Sequence, residues 1–332
     1  MMVRCVRVPK AEGNTIRMSL KAEGLLDLDH RIASEGDSLL IPILCASYGE
    51  YPIEECDLEE IEHQETDYRM FLPEEIRDIL PNSFDCIGDL IIVKIEDPLL
   101  QYKHQIGEAL LKVNRNVRLV LMDGGVKGEL RIRELEPIAG TGGTETRHRE
   151  SGVTMITDPA KVYFNPRLAT ERMHVASQVR DGEVIIDMFA GVAPFPLVIC
   201  KHAKPEIVYS IDLNHEAFLF MERNIALNKV KNIVPIEGDA SEAVKDLPQA
   251  DRVIMNLPQI AYRFLDVALS KTKKGGVVHM HRIMERDTAD NITSELISEM
   301  CARGYQCHLA EKRELKTYSP TASVYVFDII RD

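Results

Sequence analysis

Between residues 183 and 256 the chain alternates short continuous apolar runs with stretches whose apolar positions recur at spacings of three and four. That is the pattern of buried strands joined by amphipathic helices. Val184, Ile185, Ile186 and Met188 form the first run; Ala190, Gly191 and Ala193 keep side chains out of the turn that follows, and Pro194 suits a first helical position. A second strand is expected at 207–212 (IVYSID), then a helix over 214–229 with Asn214 as N-cap and Phe218, Met221 and Ile225 on one face. Strands at 232–238 (NIVPIEG), 251–256 (DRVIMN) and 275–281 (GGVVHMH), a helix near 284–302 and a C-terminal strand pair complete the series. Such alternation predicts an α/β fold built on a doubly wound sheet.

Upstream the periodicity is weaker. Residues 1–68 alternate short apolar runs such as LLIPIL (39–44) with polar connections, which reads as a small α+β module. Residues 69–152 hold an apolar strand, LIIVKI (90–95), a helix near 98–113 and an alternating strand, VKGELRIREL (126–135). The GTGGT run (140–144) reads as a flexible loop. KVYFNPRLATER (161–172) passes from a short strand into a helix, with Asn165 as N-cap and Pro166 at the first helical position. Three domains are therefore expected, at 1–68, 69–152 and 153–332, since 332 residues exceed one compact core of ordinary size.

Charge and cysteines narrow the setting. The net charge of −13 argues at first against a nucleic-acid partner, but residues 51–80 hold eleven carboxylates against Arg69 and Arg77. Residues 99–133 hold seven Lys/Arg against Glu108, Asp123 and Glu129, so an acidic protein can carry a basic face. Arg118 in that stretch reads as a generic phosphate contact. The seven cysteines lie scattered with no C-x-x-C pair, and no apolar run approaches the ~20 residues that cross a bilayer. A reduced, cytoplasmic protein without structural zinc is expected.

Candidate chemistry gathers at the strand tips. Asp187 ends the first strand, Asp212 follows 25 residues later at the end of the second, Asp239-Ala240 follow the third, and Asn256-Leu257-Pro258 follow the fourth. Open α/β sheets bind ligands at that edge. A nicotinamide site would show G-x-G-x-x-G in its first turn, where this chain has A-G-V-A-P. S-adenosylmethionine fits better, with Asp187 near its amino-acid end, Asp212 at the ribose diol and Asp239 at the adenine amino group. The Asn-Leu-Pro-Gln step lacks the second proline and aromatic residue of enzymes that methylate exocyclic amines. No cysteine stands beside Pro258 to attack a cytosine ring, so a ring nitrogen is the expected methyl acceptor.

Taken together with KGELRIREL (127–135), TETRHRESG (144–152), DMFAGVAPF (187–195), IDLN (211–214) and NLP (256–258), the phrase KVYFNPRLATER resembles the archaeal and eukaryotic tRNA (guanine-37-N1) methyltransferase family over nearly the whole chain. The resemblance implies a Rossmann-like class I methyltransferase sheet with smaller α+β N-terminal and middle domains. It implies transfer from S-adenosylmethionine to N1 of guanosine 37 of tRNA, 3′ of the anticodon, after the base is extruded. Cofactor contacts would come from Asp187, Phe189, Gly191, Asp212, Leu213, Asp239, Ala240 and Asn256. Methylation at N1 requires a base for its proton and a donor for charge developing on O6; the resemblance places Glu171 and Arg131 in those roles. A free glutamate titrates near ~4.3, so partial burial would have to raise it. Asn256 and Pro258 would line the base pocket, and Tyr163 offers a stacking surface for the extruded base. No metal is implied. The expected partner is tRNA, through the anticodon stem-loop and the outer corner, bound by a monomer with no obligate protein partner and no membrane. The family often has Gly at position 193 and Ser at position 165.

The residues themselves leave alternatives. Glu171 can form an ordinary (i, i+4) surface pair with Arg167, Arg131 can alternate with Glu129 and Arg133 on a half-solvated strand, and Tyr163 can be a core tyrosine. A wyosine-pathway transferase of the same fold, moving a methyl or aminocarboxypropyl group, and a non-catalytic tRNA-binding module remain as rival functions.

Overall fold

The computed structural model describes residues 2–61, 67–128 and 130–332, and its contacts divide the chain into two compact units between Asp67 and Tyr68. Glu129, and residues 62–66 of the acidic stretch, lie outside the described residues.

The first unit is a four-stranded antiparallel sheet in the order Ala33–Glu35, Ser38–Pro42, Met2–Pro9, Ile53–Asp57. Val6, Val8, Ile41 and Ile43 join Leu20, from the helix Gly13–Ala22, in its main core.

The second unit starts with a sheet in the order Asp85–Ile87, Leu90–Val93, Leu119–Lys127, Ile132–Gly140. Side chains alternate across a strand, and here both faces are covered. Ile91, Val93 and Val120 pack with Ile106 and Leu110 of the helix Lys103–Val113. Leu90, Ile92, Leu119 and Leu121 turn the other way, into a core shared with Phe164, Phe195 and Val208. The expected strand over 126–135 is interrupted. Gly128 at φ +66° and Arg131 at φ +56° lie outside the ladder, in which Lys127 faces Ile132 across two antiparallel strands. The GTGGT run is not loose either: Arg118 donates to the carbonyls of Gly143 (2.7 Å) and Glu145 (2.8 Å) and pairs with Asp89 (2.8 Å). Arg118 is thus a brace for this loop, which corrects its reading as a phosphate contact.

The large sheet has seven strands: β1 (Val184–Asp187), β2 (Ile207–Asp212), β3 (Ile233–Glu237), β4 (Ala250–Met255), β5 (Thr272–Glu285), β6 (Cys307–Thr317) and β7 (Ala322–Arg331). Their order is β3-β2-β1-β4-β5-β7-β6, with β1 to β5 parallel and β7 antiparallel to both neighbours. Central parallel strands are buried on both faces, which is why they read as continuous apolar runs. Pro235 is tolerated because β3 is an edge strand. The helix His215–Asn228 has Asn214 as its N-cap, accepting from the Glu216 N–H at 3.0 Å. It buries Ala217, Phe220, Met221 and Asn224, a face offset from the one expected. Strand β5 continues to Glu285, so the following helix begins only at Ala289. Residues 161–164 form no strand; Asn165 caps the next segment as expected, accepting from the Arg167 N–H at 3.0 Å.

Candidate active site

A cavity of about 530 Å³ lies at the C-terminal tips of β1, β2 and β4. Its lining includes Phe189, Gly191, Asp212, Leu213, Asp239, Ala240 and Asn256, and also Arg131, Tyr163 and Pro258. Tight local geometry shapes its floor. Gly191 sits at φ +56°, which any side chain would strain, and its N–H donates to an Asp212 oxygen at 2.7 Å. Ala193 also takes a left-handed conformation, φ +68°, as it opens the helix Pro194–His202. This accounts for glycine at that place in the family: an alanine there costs about 1–2 kcal/mol. The fully buried Asn224 fixes the turn from behind, donating to the carbonyls of Val192 (3.1 Å) and Ile156 (2.9 Å).

The three carboxylates differ. Asp212 accepts from the N–H groups of Gly191 and Asn214 (2.9 Å); burial pushes its carboxyl up, and those two donors oppose the shift. Asp239 caps its own helix, and hydrogen bonds led by the Ser241 hydroxyl hold it below the usual carboxylate range. Asp187 does not line the cavity, contrary to expectation. At the end of β1 the side chains alternate, so Met188 faces the cavity while Asp187 turns into the protein and is fully buried. Burial pushes its carboxyl up to about 8, against the opposing effect of the Phe189 N–H.

Arg131 lies directly before the strand Ile132–Gly140, not on it, with its guanidinium carbon 5.4 Å from the centre of the Tyr163 ring. Tyr163 is half-buried on the cavity wall. Phe264 packs edge-on against Phe189, ring centres 5.2 Å apart, and with Gln259, Ile260 and Arg263 extends the wall beyond Pro258. Gln259 closes the Asn-Leu-Pro-Gln step, whereas Ile260, Arg263 and Phe264 carried no motif and had only their place in the segment after it as a signal.

Glu171 departs furthest from expectation. It is 2% exposed and does not line the cavity. Arg167, its supposed surface partner, pairs instead with Asp85 at 2.6 Å. The next residue, Arg172, is also buried and grips Glu150 through two hydrogen bonds of 2.6 and 2.5 Å, anchoring the helix Ala169–Gln178. Glu171 then meets Arg313 of β6 in a two-pronged pair, Nη1 to Oε2 at 2.9 Å and Nη2 to Oε1 at 3.2 Å.

Bare backbone at Gly191, acceptors at Asp212 and Asp239, and a volume suited to a nucleoside with a short tail fit S-adenosylmethionine. A TRM5/TYW2 methyltransferase domain model matches residues 146–309, a TYW2 N-terminal domain model matches 69–144, and a tRNA methyltransferase 5 N-terminal domain model matches 5–49. A tRNA (guanine(37)-N(1))-methyltransferase, Trm5b of Pyrococcus abyssi, is 42% identical over 96% of each chain. The chain belongs to the tRNA (guanine-37-N1) methyltransferase family. The crystal structure of Trm5b from Pyrococcus abyssi superposes on this member with a TM-score of 0.77 at 40% identity, and that of aTrm5 in complex with tRNALeu with a TM-score of 0.71 at 34%, each covering 99% of both chains. The methyltransferase sheet expected from the strand pattern is thus present in this family member. Its cofactor is S-adenosylmethionine. All seven cysteines are free, and no helix among the described residues is long and apolar enough to cross a membrane.

Asp212→Ala is expected to weaken S-adenosylmethionine binding by roughly 1–3 kcal/mol, through loss of hydrogen bonds to a charged acceptor. Asp212→Asn, which keeps one acceptor oxygen for the turn, should lose less. Calorimetry returning wild-type affinity for both variants would remove Asp212 from the cofactor site.

Proposed function

We propose that this protein methylates N1 of guanosine 37 of tRNA in the cavity at the β1, β2 and β4 tips. The observation that carries this reading is one cavity lined both by the strand-tip residues suited to a nucleoside and by Arg131, Tyr163, Asn256 and Pro258. S-adenosylmethionine, when bound, supplies the methyl group, its sulfonium sulfur retaining the electron pair of the broken bond. Phe189, Gly191, Asp212, Leu213, Asp239 and Ala240 hold the donor against the turn. The extruded base is stacked on Tyr163 and flanked by Asn256 and Pro258. N1 carries a proton in the stable tautomer of guanine, so Glu171 accepts it as the N1 electron pair takes the methyl group, and Arg131 donates to O6, where negative charge develops. Because Glu171 is set back from the cavity, the base must reach inward, or one solvent molecule must link the two.

The first unit, and the exposed Arg147 and Arg149 on the strand Thr146–Glu150, serve tRNA recognition in this reading. Its test is single-turnover transfer from methyl-labelled cofactor, with nuclease digestion to identify the product. Label recovered as 1-methylguanosine, and lost when position 37 is adenosine, is expected. A labelled tricyclic nucleoside, or an aminocarboxypropyl product, would move the protein to the wyosine branch; the absence of any transfer would leave only a binding module. In the same assay, removal of residues 1–67 should leave cofactor binding intact and weaken discrimination against tRNA with a disrupted outer corner. Full discrimination by the truncated chain would deny the first unit that role.

A further inference from the structure

Nothing in the run E-K-R-E-L-K around Arg313 sets this arginine apart from an ordinary solvated strand. Yet its guanidinium takes both oxygens of Glu171, a carboxylate that lies 142 residues earlier in the chain. The side chain of Glu171 is 1% exposed and that of Arg313 25%, so the pair joins a sealed acid to the surface. Other charged groups surround the contact. The Oε1 of Glu311 lies 3.1 Å from the Nε of Arg313 as an ion pair, and Asp328 on β7 accepts from the ring of His279 at 2.6 Å. His174, on the same helix as Glu171, meets the side chain of Gln178. The His281 ring lies 4.0 Å from Glu171, and burial pushes it down to about 4, so it is neutral near pH 7. Among the described residues, Arg313 is the cation hydrogen-bonded to this carboxylate, and it does not line the cavity.

A carboxylate sealed from water and deprived of its counter-charge takes up a proton, and a protonated carboxyl cannot act as a base. A planar fork on both oxygens also fixes the orientation of the acceptor. We propose that Arg313 is a positioning residue for proton abstraction, which holds the Glu171 carboxylate ionised and in one orientation without touching guanine or cofactor. The inference rests on Glu171 as the base. In the step it serves, the N1–H bond breaks, the proton passes to a Glu171 oxygen, and the N1 pair forms the bond to the methyl carbon.

The test is single-turnover transfer by the full-length protein at saturating tRNA and cofactor, measured across the pH range for wild type, Arg313→Gln, Arg313→Lys and each combined with Glu171→Gln. Loss of the cation favours the protonated acid, so the acid limb of the Arg313→Gln profile should move to higher pH by roughly 1–3 pH units. Arg313→Lys restores the charge without the fork and should recover part of that displacement. With Glu171→Gln already present, neither Arg313 change should lower the rate further. An acid limb that stays at its wild-type position, or an equal loss of rate with and without Glu171, would make Arg313 a structural brace and overturn the proposal. If Arg313→Gln fails to fold, judged by circular dichroism and cofactor affinity, Arg313→Lys alone decides: a smaller displacement in the same direction supports the proposal and an unmoved limb overturns it. Failure of the underlying reading is distinguishable, because a wild-type rate for Glu171→Gln alone requires no Arg313 variant to observe.

Discussion

Glu171→Gln should lower the single-turnover rate of methyl transfer by about 10²–10⁴ while leaving tRNA and cofactor affinities nearly intact. The substitution preserves shape at a position that is 2% exposed, so packing in the helix Ala169–Gln178 is retained, and it deletes the proton acceptor. Its cost to the fold is contained: Arg313 keeps Glu311 as an acidic partner at 3.1 Å and has a partly exposed side chain. A change confined to chemistry lowers the rate at saturating substrate, whereas a change in ground-state binding is overcome by adding tRNA. Saturating single-turnover rates, with affinities from equilibrium titration, separate the two. A rate within a few-fold of wild type at every pH would leave the Glu171–Arg313 pair as a structural tie and the base unassigned.

Arg131→Ala should lower the transfer rate by about 10²–10³, with tRNA affinity barely changed, because a donor to O6 stabilises charge that appears only as N1 loses its proton. The position favours this role over a strand residue's. Arg131 sits in the left-handed region directly before the strand Ile132–Gly140, lines the cavity and reaches over the Tyr163 ring. Alanine adopts the same backbone at a similar cost, so the comparison reports the side chain. A phosphate contact would behave otherwise: its loss weakens tRNA binding and reduces the slope of log affinity against log salt by about one. Arg118 cannot serve as the control for that behaviour, since its guanidinium is committed to Asp89 and to loop carbonyls. Arg147, exposed and without an ion-pair partner among the described residues, is the better comparison. Recovery of the wild-type rate by Arg131→Ala at high tRNA concentration would refute the assignment to O6.

What the sequence determined by itself is the part of this protein governed by local rules. Continuous apolar runs marked β1, β2 and β4 because central parallel strands are buried on both faces. Asn165 and Asn214 announced their helices because capping acts within three residues. The edge of the sheet where strand tips gather followed from the same periodicity, and with it Asp212, Asp239 and Asn256 at the cavity. Contacts between distant segments needed the tertiary structure. Period-two alternation could not reveal that Gly128 and Arg131 lie outside the ladder, because residues on and off a strand can share one residue pattern. Nor could it show that Asp187 faces away from the cavity while its neighbour Met188 faces in, since register decides which side a residue takes. The pairing of Glu171 with Arg313 depends on β6 returning beside the helix that carries Glu171, a closure across 142 residues that no local spacing encodes. A buried acid tied to a partly exposed arginine is specified by the geometry of the whole sheet.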